Sequence, residues 1–253
     1  MIVPKKQKPR EVSAFFDYIL KIWGGCINGW RWKNTVDTED LKKETKETVN
    51  QVKETIKNVD LKNDAEATKG FIKEMVSNPV EAVKRAANGE EGIFKKAIII
   101  MLVYLISTAA YQILYHIRYS GFTTLLKSLV NIVTGTLNPL VGIVLLSVVV
   151  YLMSKKEEKS LMNVLSTMVV ASVPMVIDSL IDIVRFLVHS ATVVTLFANP
   201  IATMLGALSI VLTYFGVKEL LGVEEEKESI KKFAVAKVIV AVLMFVLTRI
   251  GLA

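Results

Sequence analysis

The sequence predicts an all-α fold, a polytopic transmembrane helical bundle of five spans with a cytoplasmic helical N-terminal region. Hydrophobic residues make up 52% of the 253 residues, and the mean hydropathy is +0.46, which is typical of polytopic membrane proteins. Several uncharged runs are long enough to cross the roughly 30 Å hydrocarbon layer, and short charged turns separate them. The other charges concentrate in the first third of the chain. We therefore expect the bilayer to be the solvent of the remaining two thirds.

The clearest element is a hairpin of two apolar helices at residues 138–171. Residues 140–153 and 161–177 carry no ionised side chain, whereas the five residues 155–159 between them are all charged. In water such helices would need a large protein core around them. In a bilayer they need only lipid and each other, so the hairpin predicts two membrane spans.

Composition argues against several classes of site. The single cysteine, Cys26, allows no internal disulfide, and with only two histidines we expect no metal site and no cofactor. The formal net charge of +7 comes mostly from turns in the apolar part, so it does not indicate nucleic-acid binding. No apolar run with a cleavage site follows the basic residues 4–10, so no cleavable signal is expected.

Residues 1–34 are interpreted as a basic start followed by an amphipathic helix. Apolar residues recur at helical spacing between residues 11 and 32, and all three tryptophans lie there. Because amphipathic rings prefer the headgroup zone, the helix could lie flat on the cytoplasmic membrane surface; packing on the rest of the protein is the alternative. The candidate interfacial anchors are Phe15, Phe16, Trp23, Trp30 and Trp32.

Residues 35–92 are predicted to form charged cytoplasmic helices. Residues 35–63 carry one narrow apolar stripe, which predicts a solvated or loosely docked helix or, alternatively, a surface for a partner helix; the stripe consists of Val49, Val52, Ile56 and Val59. Residues 64–76 continue the helical pattern. Asn78, Pro79 and Glu81 then supply a cap, a first-turn proline and a first-turn acid, so a new helix should run to Ala87.

Residues 93–253 are predicted to form the five-span membrane domain. The expected spans are residues 95–117, 138–153, 161–181, 200–217 and 233–250. Residues 128–137 are expected to be a half-helix or an interfacial lead-in, because Gly135 and Pro139 interrupt the apolar run. Pro174 should kink the third span. Lys237 can snorkel towards the headgroups from inside the fifth span.

Lysine and arginine alternate between the two sides of the five predicted spans. Eleven flanking residues fall on one side and four on the other, so the positive-inside rule predicts a cytoplasmic N-terminus and an external C-terminus. The eleven are Lys84, Arg85, Lys95, Lys96, Lys155, Lys156, Lys159, Lys218, Lys227, Lys231 and Lys232, and the four are Arg118, Lys127, Arg185 and Arg249.

The two predicted hairpins share a pattern. Asn138-Pro139 and Asn199-Pro200 each lead into an apolar helix, and acids followed by Ser160 or Ser229 precede the next helix. Spans 2–3 and 4–5 would then be parallel repeats, as some transporters have. Convergence on capped helices joined by charged loops explains the same pattern.

Four segments resemble the Yip family of five-span membrane proteins, named for interaction with Ypt/Rab GTPases. They are residues 78–82 ahead of the first span, 164–174 in the third, 214–220 at the exit of the fourth, and 229–236 before the last. The resemblance covers about residues 70–253 and implies five spans with a cytoplasmic N-terminus. The eukaryotic Asp-Leu-Tyr-Gly-Pro signature is absent, which argues against Rab binding and favours the prokaryotic branch, in a plasma membrane.

Asp178, Asp182 and Arg185 form the candidate polar membrane site. They lie at i, i+4 and i+7 of one helix, and ionisable groups inside a span are costly and often functional. One interpretation is an ion or proton pathway; the other is a solvated, ion-paired end of the third span, because residues 161–181 already measure a full crossing. Isolated polar groups, which are Gln112, His116 and Asn131, are expected to hydrogen-bond between helices. Small residues of the fourth span, which are Ala202, Gly206, Ala207 and Ser209, predict a close helix contact.

No nucleophile–base pair, phosphate loop or metal cluster with suitable spacing is present in the sequence, so we do not expect an enzyme. The first functional hypothesis is a non-enzymatic membrane scaffold that binds a protein partner through its N-terminal helices. The second is a small permease or ion pathway that uses the Asp178/Asp182/Arg185 face. Expected partners are the lipid bilayer, such a protein and a second copy of the chain, but not nucleic acid.

Overall fold

The computed structural model describes residues 38–58, 60–121, 128–154, 159–188 and 194–249. The chain divides into two compact units at Lys42 and Lys43, and only residues 38–42 of the first unit are described. All candidate interfacial anchors from Phe15 to Trp32 lie outside the described residues. Regular structure in the described part is helical: α1 (Thr38–Lys57), α2 (Leu61–Ser77), α3 (Pro79–Ala87), α4 (Ile93–Ser120), α5 (Leu129–Ser154), α6 (Leu161–Ala171), α7 (Val173–Val188), a π-helical turn (Val194–Ala198), α8 (Asn199–Leu220) and α9 (Glu226–Arg249).

Three helical stretches of the described residues are long and apolar enough to cross a membrane. They are Ile93–Tyr119, Leu129–Ser154 and Leu196–Leu220, and the bent pair α6 and α7 makes a fourth if it is one broken span. The all-α polytopic fold is therefore confirmed. The fifth predicted span falls in α9, where Lys237 interrupts the apolar stretch and Lys232 and Arg249 flank it. The five-span count stays a prediction.

The bend between α6 and α7 confirms the kink predicted at Pro174. The two helices meet at 43°, with Ser172 between them. Pro174 lies in the first turn of α7, where a backbone N–H has no acceptor within the helix. The missing N–H of proline therefore costs no helical hydrogen bond there. The hydroxyl of Ser172 donates to the carbonyl of Val169 at 2.7 Å and so satisfies part of the interrupted backbone.

The predicted break before the second span is wrong. Helix α5 begins at Leu129 and continues without interruption through Pro139 to Ser154. A proline is tolerated inside a membrane helix when neighbouring groups fill the local gap. Here the residue four positions earlier is Gly135, and the side chain of Gln112 on α4 packs directly against it. The glycine that suggested a helix break instead allows a close contact.

The shared capping pattern of the two hairpins is also wrong. Asn199 and Pro200 do begin α8, but Asn138 and Pro139 lie inside α5. Ser160 caps α6 by accepting from the N–H of Asn163 at 3.2 Å, whereas Ser229 lies inside α9, one turn after its start. The ends of the two hairpins are therefore built differently.

Helix α3 forms as predicted and packs between the membrane helices. It begins at Pro79 and ends at Ala87, although the Asn78 side chain makes no capping hydrogen bond. The helix contacts α6 and α8, and its buried residues are Ala82, Val83, Ala86 and Ala87. Gly216 of α8 marks the contact, because a Cβ there would lie 3.1 Å from Cγ1 of Val83. A short helix outside the predicted spans is therefore part of the bundle core.

Candidate functional site

Arg185 and Asp182 form an ion pair on α7. Nη1 of Arg185 donates to Oδ1 of Asp182 at 2.7 Å. Nη2 of the same guanidinium donates to Oδ1 of Asn199, the first residue of α8. The predicted arginine therefore neutralises one of the two aspartates and ties α7 to α8.

Asp178 has no such partner. Its Oδ1 is buried and accepts no hydrogen bond from the described residues. The next residue, Ser179, shares a 2.6 Å hydroxyl hydrogen bond with Ser107 of α4. Ser107 lies at the middle of the 28-residue helix α4. Asp178 therefore lies beside the midpoint of a membrane-spanning helix.

The depth of Asp178 differs from the depth that chain length alone suggests. Residues 161–181 measure a full crossing only if α6 starts at the membrane surface and runs straight into α7. In the structure α6 starts next to the Asn88–Gly89 turn, where a Cβ on Gly89 would lie 2.5 Å from Nδ2 of Asn163. The 43° bend shortens the path further. The face formed by Asp178, Asp182 and Arg185 thus extends from mid-helix towards the far end.

The far end of α4 and α7 is closed by Arg118. Its Nη1 donates to the carbonyl of Phe186 at 3.1 Å, and its guanidinium lies 4.9 Å from the centre of the Phe186 ring. Tyr111, Tyr115 and Tyr119 stack along the same side of α4. Aromatic and basic side chains at a span end are typical of a membrane–water interface.

The opposite end carries a polar network that the sequence analysis missed. Nδ2 of Asn88 donates to Oε1 of Glu219 at 3.2 Å, and Nζ of Lys159 donates to Oδ1 of Asn88 at 3.2 Å. The turn after α3 is thereby linked to the ends of two membrane hairpins. No local sequence pattern shows this role of Asn88, because its partners lie 71 and 131 residues away in sequence.

Arg85 adds an ion-paired cluster at this end. It binds the carboxylates of Glu74 and Glu90. Hydrogen bonding from the guanidinium holds the pKa of Glu90 below its ordinary value, and the same bond raises the pKa of Arg85. Similarly, the 2.8 Å ion pair with Lys95 lowers the pKa of Asp64. These pairs fix α2 and α3 to the start of α4.

The other polar residues singled out in the sequence do not form the expected contacts. Among the described residues, the side chains of Gln112, His116 and Asn131 make no interhelical hydrogen bond, and Nδ1 of His116 is buried without a partner. In the fourth span, a Cβ on Gly206 would meet open space. Ser209 fits the predicted close contact, because its hydroxyl donates to the carbonyl of Ala171 at 3.1 Å.

Comparison with known families identifies the membrane part. A model of the Yip1 domain matches residues 73–250, about two thirds of the chain. The chain belongs to the Yip1 domain family. No curated protein and no solved structure gives a significant match. The family resemblance seen in the sequence is confirmed, and the prokaryotic branch stays a prediction.

The Yip1 domain includes the candidate polar membrane site formed by Asp178, Asp182 and Arg185. It starts inside α2 and contains the buried helix α3, the Asn88 network and the whole of α4 to α9. Helix α1 lies before it. Among the described residues no group of three or more His, Cys, Asp or Glu could hold a metal ion.

Proposed function

We propose that this Yip1-domain protein is a non-enzymatic membrane scaffold that binds a protein partner through α1. The observation that carries this proposal is the apolar stripe of α1, on a helix otherwise dominated by charge. Val49 and Ile56 are each 45% exposed on this helix. Exposed apolar residues at seven-residue spacing suit a groove or helix on a partner.

The proposed orientation places α1 in the cytoplasm of a prokaryotic cell and the C-terminus outside the plasma membrane. The lysine-rich end of the bundle, which includes Lys95, Lys159 and Lys218, supports this orientation through the positive-inside rule. A cytoplasmic α1 would then be accessible to soluble proteins and to other membrane proteins with cytoplasmic segments.

Co-purification from native membranes tests the scaffold proposal. The variant Val49→Glu/Ile56→Glu places two negative charges on the stripe, and Asn50→Glu/Gln51→Glu adds the same charge to exposed positions of the same helix. The stripe variant should lose the cross-linked partner that the full chain retains, while the matched control keeps it. Equal recovery from both variants would refute α1 as the partner surface.

A small permease or ion pathway is the second candidate. It is favoured by the unpaired Asp178 carboxylate beside the middle of α4, because buried charge in a span is costly unless it serves a function. In proteoliposomes loaded with a pH- or Na⁺-sensitive dye, Asp178→Asn and Asp182→Asn should abolish flux, while Asp64→Asn, outside the spans, should not. Absence of flux in the unmodified protein, or flux that survives both substitutions, would contradict this role.

A further inference from the structure

The end of α8 and the start of α9 meet in a cluster formed by Tyr214, Ser229, Phe233 and Lys237. The rings of Tyr214 and Phe233 pack edge to face, with centres 5.7 Å apart. Nζ of Lys237 lies 5.6 Å from the centre of the Phe233 ring, one turn back towards the start of α9. The ammonium group is thus directed out of the bilayer core, as a snorkelling lysine should be.

The polar atoms of this Tyr214–Lys237 cluster lack partners. The hydroxyls of Tyr214 and of the fully buried Ser229 have no hydrogen-bond partner among the described residues. Within the same part of the chain, Lys237 makes a cation–π contact but no ion pair. Buried polar groups are normally satisfied, so two unpartnered hydroxyls on the same side as an ammonium group without an ion pair indicate a missing ligand.

Two lysines supply positive charge to the cluster. Lys218 lies four residues after Tyr214, on the same side of α8, and adds a second ammonium group. Two carboxylates at this end are engaged elsewhere, because Glu219 accepts from Asn88 and Glu228 pairs with Lys232 at 2.8 Å. The carboxylates of residues 224–226 belong to exposed side chains at and just before the start of α9. A ligand with a negative charge and several acceptor oxygens would match this arrangement.

The depth of the cluster matches the headgroup region. Tyr214 lies six residues before the end of α8 and Phe233 seven residues after the start of α9, or about 10 Å inside the turn that joins the helices. One turn deeper, Ile210 and Ala241 present exposed apolar surface. Polar groups near the membrane surface with apolar groups beneath them suit an amphiphile rather than a free anion.

We propose that the Tyr214–Lys237 cluster binds the headgroup phosphate of an anionic phospholipid, whose acyl chains lie along α8 and α9. Basic pockets between membrane helices commonly bind acidic headgroups. Lys237 and Lys218 would neutralise the phosphate, and the hydroxyl of Tyr214 would donate to it. The site does not depend on the partner proposed for α1, because α8 and α9 lie within the Yip1 domain and α1 precedes it.

Lipid retention by the purified full chain tests this site. Native mass spectrometry after exposure to mixed micelles of phosphatidylglycerol and phosphatidylcholine would report the preference for the anionic lipid. Lys237→Met keeps the apolar stem, removes the charge and should weaken phosphatidylglycerol binding about fivefold. Lys227→Met removes a charge from the exposed start of α9 and should leave binding unchanged. Tyr214→Phe removes only a hydroxyl and should give a smaller loss.

Equal phosphatidylglycerol retention by the unmodified chain and Lys237→Met would overturn the proposal. An equal loss of phosphatidylglycerol binding in Lys227→Met would also overturn it, because binding would then depend on the general surface charge of the protein. Millimolar inorganic phosphate should not displace the lipid. If phosphate displaces the lipid and the protein does not prefer phosphatidylglycerol over phosphatidylcholine, the site binds free phosphate and the proposal is overturned. If Lys237→Met does not elute as a monodisperse species, Tyr214→Phe decides the outcome.

Discussion

Gly216 is the residue whose small size matters most to the packing of α3. A Cβ at this position would lie 2.8 Å from Cγ2 of Thr167 and 3.1 Å from Cγ1 of Val83. Thr167 cannot easily move, because it is fully buried and its hydroxyl donates to the carbonyl of Asn163 at 2.6 Å. Glycine therefore allows α3, α6 and α8 to meet at one point.

Gly216→Ala should destabilise the protein by about 1–3 kcal/mol through overpacking. Gly206→Ala is the matched control in the same helix, since a Cβ there meets no atom within 4 Å. The control should be neutral or slightly stabilising because alanine favours a helix. Thermal unfolding in detergent measures both, and equal unfolding temperatures would show that the contact is looser than described.

Asp178 and Asp182 should respond in opposite directions to loss of charge. Asp178→Leu removes a carboxylate whose buried Oδ1 has no partner among the described residues, so it should raise the unfolding temperature in detergent. Asp182→Leu leaves Arg185 without its ion pair and should lower it. Each effect should be about 1–3 kcal/mol. A destabilised Asp178→Leu would mean that this carboxylate has a stabilising partner.

The sequence predicts which charged residues share a face of α7, but it does not predict how deep in the membrane that face lies. Asp178, Asp182 and Arg185 share a helical face by spacing alone. The hydrogen bond between Ser107 and Ser179 sets how deep that face lies, and it joins residues 72 positions apart. Isolated serines in apolar runs carry no signal of pairing, so the sequence left both interpretations of the face open.

At the scale of the element, helix starts were predicted well where the signal is local. Asn78 precedes α3, which begins at Pro79, and Ser160 caps α6, because the signals for a helix start depend on neighbouring residues only. Helix α5 was mispredicted because whether Pro139 breaks a helix depends on its surroundings. Packing of Gln112 on Gly135 is a tertiary contact that no local pattern shows.

The turn between α3 and α4 should confer acid sensitivity. The pKa of Glu90 is held below its ordinary value of 4.5 by Arg85, so its contribution to stability is present above that value and is lost as pH falls through the lowered pKa. The unfolding temperature of the unmodified protein should fall as pH drops from about 6 to 3. Glu90→Gln should flatten this fall.

Glu91→Gln is the control for that experiment, because Glu91 is an exposed neighbour without an ion pair in the described part of the chain. Its pH profile should follow that of the unmodified protein. Identical profiles for Glu90→Gln and the unmodified protein would show that the Arg85 cluster does not govern acid stability.

At the scale of the whole molecule, the two ends of the bundle differ chemically. One end carries the Asn88 network, the Arg85 cluster and most lysines, while the other carries Arg118, Arg185 and the tyrosines of α4. This asymmetry was predictable from the sequence because it depends only on which loops hold lysine. The packing of α3 into the bundle could not be predicted from the sequence. The helix is too short to cross a membrane, and its burial depends on contacts with α6 and α8.

Cysteine labelling in intact cells tests the proposed topology most directly. Cys26→Ser provides a background in which Glu91→Cys or Ala253→Cys is the single thiol of the chain. With five spans, a membrane-impermeant maleimide should label Ala253→Cys from outside and Glu91→Cys only after permeabilisation. Labelling of both positions in the same compartment would show an even number of crossings and contradict the account.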